Sequence, residues 1–238
     1  MKLLHLIHAI MSPKSKNLHH KADGILENII MEHKAKRASR WIEIDDLVYV
    51  LLDLQEHGKL EMPFKTDNIK AVIMDIFMGG DETSTVIVEW AMSEMLKNLR
   101  VVEKAQPEVR RVFPREGSAD EAGIRELKYL NLVIKETLRL HPAEEKAEGA
   151  EKFLPERFLD STADYKGSGF EFIPFGAGRR MCVRISSAPA IIEPEPANLL
   201  YHFDWKLPEG QNPENFDMTE DFRGVARRKH DLWLVPIP

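Results

Sequence analysis

The stretch FGAGRRMCVR, Phe175 to Arg184, puts the only cysteine of the chain at the end of a glycine-rich, basic loop. A lone cysteine is ordinarily a small buried hydrophobe. The surroundings of Cys182 differ from that default. Gly176 and Gly178 let the backbone come close to something large, while Arg179 and Arg180 favour a thiolate and can bind carboxylates. A thiolate, a flexible backbone and a carboxylate-binding arginine together describe a haem site, with sulfur on iron and an arginine on a propionate. The competing chemistry is a nucleophilic cysteine, which needs a positioned histidine base. No histidine lies near Cys182 in sequence.

Three further groups carry chemistry. In MGGDETS, Gly79 and Gly80 each cost roughly 1 kcal/mol relative to Ala inside a helix. Two together point to a kink, or to a group pressed against the backbone. Thr83, at i+4 from Gly79, can bond back to that carbonyl. Glu82 with Thr83 makes an acid–alcohol pair suited to proton relay. The commoner use of such a notch is a close helix crossing. In KETLR, Glu136 and Arg139 stand three apart on one helix face, which by itself means a surface ion pair worth a few tenths of a kcal/mol. In FLPERF, Pro155 stiffens a turn that presents Glu156 and Arg157. This turn gains interest only if Arg157 meets Glu136.

These residues need long elements to hold them. Leu18, Ala22, Ile25 and Ile29 recur at helical spacing. IEIDDLVYVLLDLQEHG reads as a second helix with Gly58 as its stop. The run from Thr66 or Asp67 to Asn98 contains no proline and reads as a rod of roughly 45 Å, apolar on most faces and hence buried and central. VVEKAQPEVRRVF is helical in pattern, and Pro107 is expected to kink or end it. GSADEAG is a loop. IRELKYLNLVIKETLRL is one amphipathic helix stopped at His141-Pro142. Beyond Ala143 the texture is short, charged and loop-like. Pro189, Pro194 and Pro196 should fragment any helix after Cys182, and the C-terminal segment reads as a β-hairpin. The fold class is therefore mainly α with a small β part. The domain reading is one partial domain over residues 1–238, with a helical part at 18–142 and a loop-and-hairpin part at 143–238.

Composition excludes several classes. Thirty-three basic against 39 acidic residues give a net charge of −6, which argues against nucleic-acid binding. One cysteine excludes an internal disulfide, a multi-cysteine zinc site and an iron–sulfur cluster. The apolar run at the N-terminus is about ten residues, against the ~20 needed to span a bilayer. No membrane-spanning segment is read in this chain.

The four groups occur in one order: the acid–Thr helix notch, Glu-x-x-Arg, Pro-Glu-Arg-Phe, then Phe-x-x-Gly-x-Arg-x-Cys. That order resembles the cytochrome P-450 family of haem-thiolate monooxygenases. EWAMSEM, LVIKETLRLHP and NLLYHFDWKLP resemble its plant microsomal, terpenoid-oxidising branch. The resemblance runs from about Leu18 to Pro238. It implies that Cys182 is the axial thiolate of a haem b iron, Phe175 shields the sulfur, and Gly176 and Gly178 shape the loop. Arg180 would pair with a propionate, and Glu82 and Thr83 would deliver protons. Glu136, Arg139 and Arg157 match a buried network that holds the haem-binding core. The implied reaction inserts one oxygen atom of dioxygen into a small lipophilic substrate, with NADPH electrons arriving through a flavoprotein reductase. The thiolate pushes electron density toward iron and favours O–O cleavage. Family members work at the endoplasmic reticulum membrane.

The chain also departs from the pattern. Helices and an anchor that precede the Leu18 region in the family have no counterpart, so a C-terminal portion is expected. Ten residues, Ala143 to Lys152, stand where the family has a longer segment with pocket-lining strands. Val183-Arg184 follows Cys182 where the family has Pro-Gly or a similar pair, and the Cβ of Arg184 is expected to obstruct a tight approach. Interior prolines at 189, 194 and 196 would each cost ~3 kcal/mol. The alternative reading is a non-catalytic helical remnant that binds haem weakly or not at all.

Overall fold

The structure, a computed structural model, describes residues 13–38, 46–113, 121–142, 152–161, 163–165 and 172–237. It is mainly helical with a small β part. The helices are α1 (Pro13–Ala38), α2 (Leu47–His57), α3 (Thr66–Lys97), α4 (Leu99–Val112), α5 (Glu121–Glu126), α6 (Lys128–Leu140), α7 (Ala188–Ile192) and α8 (Pro194–His202). Two 3-10 turns, Pro155–Phe158 and Gly178–Arg180, lie between α6 and α7. Strand β1 (Asp204–Lys206) pairs antiparallel with β4 (Val235–Ile237), and β2 (Glu220–Phe222) with β3 (Ala226–Arg228). The expected C-terminal hairpin is β2–β3. The N-terminal apolar run, the charged stretch after Ala143 and most of the loop after Asp160 lie outside the described residues. Among the described residues no helix is long and apolar enough to cross a membrane.

The chain forms two compact units, Met1–Gly79 and Gly80–Pro238. The first is held by a small cluster of Ile30, Leu51, Leu52 and Ile69. Asp46 caps α2 by accepting from the Tyr49 N–H at 2.8 Å, and its other oxygen lies 2.8 Å from His33 Nε2. The α1 stripe differs from the expected one: Ile30 is fully buried, whereas Leu18 and Ile25 are 68% and 61% exposed. α2 does stop at Gly58, although with an extended backbone rather than a left-handed one. A Cβ there would overlap the Leu54 carbonyl oxygen and lie 3.1 Å from its carbon, so close approach to backbone, not φ, is what requires glycine. At the start of α3 neither Thr66 nor Asp67 is the cap residue. Both already lie in the helix, and Asn68 Oδ1 accepts from the Lys65 N–H at 2.8 Å.

The second unit holds the main core. α3 runs unbroken for 32 residues through both glycines. It is not buried throughout, as its apolar sequence suggests: Trp90 to Leu96 are all buried, but Phe77 and Met78 are 69% and 65% exposed. Val101, Ala105 and Val109 form the buried stripe of α4 in one cluster with Leu130, Val133 and Ile134 of α6 and Ala197 and Leu200 of α8. α4 also runs unbroken through Pro107. Pro107 and Glu103, whose carbonyl loses its donor, are both exposed, so water takes the freed acceptor and the buried stripe holds the helix.

The single helix expected over 124–140 is split at Leu127. The cause is a neighbouring carboxylate: Glu108 of α4 accepts from the Tyr129 N–H at 2.9 Å and the Leu130 N–H at 3.0 Å, capping a fresh N-terminus there. The prolines after Cys182 divide that region into α7 and α8 as expected, but they occupy first turns. Pro189 and Pro194 sit at N1 or N2, where a missing N–H has no intrahelical partner to lose. The interior cost expected for Pro189, Pro194 and Pro196 is therefore not incurred.

Candidate functional site

Gly176 and Gly178 adopt left-handed φ angles of 70° and 73°. A Cβ at Gly178 would meet nothing within 4 Å, so conformation and not space demands glycine there. The Cys182 N–H donates to the Phe175 carbonyl at 2.9 Å and the Gly176 N–H to Ile173 at 3.0 Å, closing the loop at its base. Phe175 roots the loop in an aromatic cluster, edge-on to Tyr165 at 5.7 Å, with Phe172 and Phe158 behind it. The Tyr165 hydroxyl is buried with no hydrogen-bond partner among the described residues, and burial pushes its pKa up. Cys182 ends the loop as an exposed free thiol. Arg179 and Arg180 are exposed. Among the described residues no cluster of three or more His, Cys, Asp or Glu could hold a metal ion.

On α3, Glu82 is half exposed, with its carboxylate 3.8 Å from Arg227 Nη1. Thr83 is partly buried. The α3 face carrying Gly80, Ser84 and Val88 opens on a cleft of about 690 Å³ shared with Leu199 of α8 and with Trp233. That volume lies within the usual range for small-molecule sites. Glu89 also lines the cleft, and burial pushes its carboxyl pKa up against the pull of Arg228.

Glu136, Arg139 and Arg157 come together. The fully buried Glu136 accepts from Arg139 Nε at 2.7 Å and Arg139 Nη2 at 2.8 Å, and from the Leu154 N–H at 2.9 Å. Arg157 Nε stands 3.5 Å from the same carboxylate. The pairing with Glu136 holds the Arg139 proton more tightly than usual. Glu156, the neighbour of Arg157, turns the other way. Its carboxylate takes Lys104 Nζ at 2.7 Å, the Tyr129 hydroxyl at 2.8 Å and Arg100 Nη1 at 3.1 Å.

Burial alone would raise the Glu156 carboxyl; these donors more than offset it and hold its pKa at about 2, against 4.5 for a free glutamate. A depressed folded-state pKa means stability present above pH 4.5 and lost as pH falls from there through about 2. The partners are largely exposed, so the contribution is on the order of 1–2 kcal/mol. Urea midpoints taken between about pH 5 and pH 2 should fall less steeply for Glu156→Gln than for the wild type. Parallel slopes would refute the assignment.

Sequence reasoning missed a second buried polar group. His141 ends α6 and stacks on Trp90 of α3, with ring centroids 3.9 Å apart. Its Nε2 lies 2.8 Å from Glu94 and its Nδ1 2.9 Å from Glu220 of β2. Trp90 Nε1 donates to the Ala226 carbonyl at 3.0 Å. Arg228 covers the Trp90 ring at 5.6 Å and donates to Ser93. The available signal was an indole, an acid and a helix-ending His-Pro on helices already read as core.

A haem held by Cys182, with Glu82 and Thr83 as the proton-delivering pair the resemblance implies, would have to come against α3 at Gly80. That surface is taken. A Cβ built on Gly80 would overlap Nη1 of Arg184 and lie 2.8 Å from its Cζ. The Cys182 thiol is exposed, but with Arg184 on Gly80 the residues as arranged do not fit the group. At Gly80 the obstruction is the distal guanidinium of Arg184.

Comparison with known proteins places these pieces. The chain matches the family description Cytochrome P450 over residues 1–146 and 148–233. It is 44% identical to a cytochrome P450 of Euphorbia lathyris, over 99% of this chain and 54% of that protein. It is 44% identical to salviol synthase of Salvia pomifera, over 92% of this chain and 50% of that protein. It is 44% identical to tabersonine 6,7-epoxidase isoform 1 of Catharanthus roseus, over 94% of this chain and 51% of that protein. The chain thus spans about half the length of the curated relatives it matches. The motif order and a match over nearly the whole chain agree, and the chain belongs to the cytochrome P450 family.

Proposed function

We propose that this chain is the thiolate-bearing portion of a haem-dependent monooxygenase that inserts one oxygen atom of dioxygen into a small lipophilic substrate, terpenoid in class. Cys182 is the iron ligand, Phe175 its aromatic neighbour and Arg180 the propionate partner. Glu82 and Thr83 form the acid–alcohol pair. Glu136, Arg139 and Arg157 brace the loop-bearing core. Electrons come from NADPH through a flavoprotein reductase. The observation that carries this reading is the exposed Cys182 thiol, ending a loop that two left-handed glycines and a backbone bond to Phe175 hold in shape. The 6,7-epoxidase among the relatives carries an oxygen-inserting reaction in its name.

A second reading, a helical protein that holds haem weakly or not at all, is favoured by the Arg184 guanidinium on Gly80. The test is spectroscopic. With excess hemin, reduced under carbon monoxide, the protein should show the red-shifted Soret band of a thiolate-ligated haem, and Cys182→Ser should lose it. A band that survives Cys182→Ser, or no band at any hemin concentration, overturns the first reading.

A further inference from the structure

We infer that the Arg184 side chain is a plug. Its guanidinium occupies the porphyrin's place on α3, so haem enters only by displacing it; the inference rests on Cys182 as the iron ligand. The geometry is specific. Three guanidinium atoms of Arg184 crowd the site of a Cβ at Gly80, with Nε at 3.4 Å and Cζ at 2.8 Å, whereas a Cβ at the adjacent Gly79 would meet open space. A flat cation thus covers the backbone at Gly80, which is buried, while Gly79 beside it stays exposed. Its own backbone is held in a local turn, because the Arg184 carbonyl accepts from the Ser187 N–H at 2.9 Å and the Ala188 N–H at 2.7 Å as α7 begins. Rotation of the side chain is enough to open the plug while that turn stays intact. Arg184 follows Cys182 by two residues, so one arginine side chain spans the distance between the sulfur loop and α3. The cleft along Gly80, Ser84 and Val88 gives a displacing ligand room to extend once the guanidinium leaves.

The measurement is hemin binding to the full chain, followed by quenching of tryptophan fluorescence and by absorbance, for wild type, Arg184→Ala and Arg184→Gly. Both variants should bind hemin at least about tenfold more tightly than wild type. The alanine variant separates guanidinium from Cβ. Tighter binding in Arg184→Gly alone would make the Cβ the obstacle and overturn the plug. Weaker binding in both would show the guanidinium serving as a carboxylate partner for hemin, and would also overturn it. So would unchanged affinity, or no binding by any of the three. A haem-free control guards against misfolding: Gly80→Ala should raise the unfolding temperature more in the Arg184→Ala background than in wild type. Equal shifts in the two backgrounds would remove the packing on which the plug depends. Adding Cys182→Ser to Arg184→Ala separates the two claims. Tight binding that keeps the same Soret band would fail the thiolate assignment while leaving the plug intact; an affinity insensitive to residue 184 with a cysteine-dependent band would do the reverse.

Discussion

Glu136→Ala should remove about 3–5 kcal/mol of folding stability, a large share of what a domain of this kind possesses. Glu136 is fully buried and gathers donors from three segments: the two Arg139 nitrogens, the Leu154 N–H and, more loosely, Arg157. Deleting it leaves the partly buried Arg139 guanidinium with only the Lys152 carbonyl, 3.4 Å away, and the Leu154 N–H without its acceptor. The cost is that of stranded donors, which exceeds the net value of the intact pair. Arg139→Ala should cost a similar amount, since it strands the buried carboxylate. Arg157→Ala should cost under about 1 kcal/mol, because Arg157 is half exposed and only 3.5 Å from its partner. Urea unfolding followed by tryptophan fluorescence tests the set. If Glu136→Ala and Arg157→Ala prove equally mild, the carboxylate does not organise the turn at Pro155.

Trp90→Ala should cost a further class of energy, about 3–5 kcal/mol, mainly by opening a cavity. Among the described residues Trp90 is the largest fully buried side chain. Its loss also frees the Ala226 carbonyl and uncovers one face of His141. Trp90→Phe isolates the polar part: the ring remains for His141 and Arg228, and only the indole donor goes. It should cost about 1–3 kcal/mol, the penalty for an unsatisfied buried acceptor plus a smaller void. Thermal unfolding of both variants checks the order. A phenylalanine variant as damaged as the alanine one would shift the weight from packing to the single hydrogen bond.

Local pattern made part of this legible. The i, i+3 spacing of Glu136 and Arg139 on one helix determines their pairing, whereas Gly176 and Gly178 read as sites of close backbone approach and turn out to adopt left-handed turns. The major helices follow from apolar periodicity, and Gly58 and His141-Pro142 end two of them where expected. What stayed hidden depends on neighbours far along the chain. Nothing near Leu127 announces a helix break, because the cap comes from Glu108 on α4. Pro107 reads as a breaker until its exposed side is seen. The sequence pointed to residue 184 as an obstruction, but a reading that stops at the Cβ cannot know where a long side chain ends. The partners of His141 come from α3 and β2 and share no spacing with it.

Trp90 packs with Val86 and Val225, residues far apart along the chain. Trp90 is tied to Ala226 across 136 residues, and Arg228 to Ser93 across 135. The Glu136 network, by contrast, closes over at most a few dozen residues. During synthesis at roughly 5–20 residues per second, the covering strand reaches Trp90 on the order of 10 s after Trp90 itself is made. The arginine–carboxylate knot can form early, while the tryptophan face of α3 stays uncovered until the last segment arrives. Closing so long a loop is slow and entropically costly. The chain therefore carries an interval in which the Trp90 ring is open to solvent, and its yield of folded protein depends on how fast the β2–β3 hairpin docks.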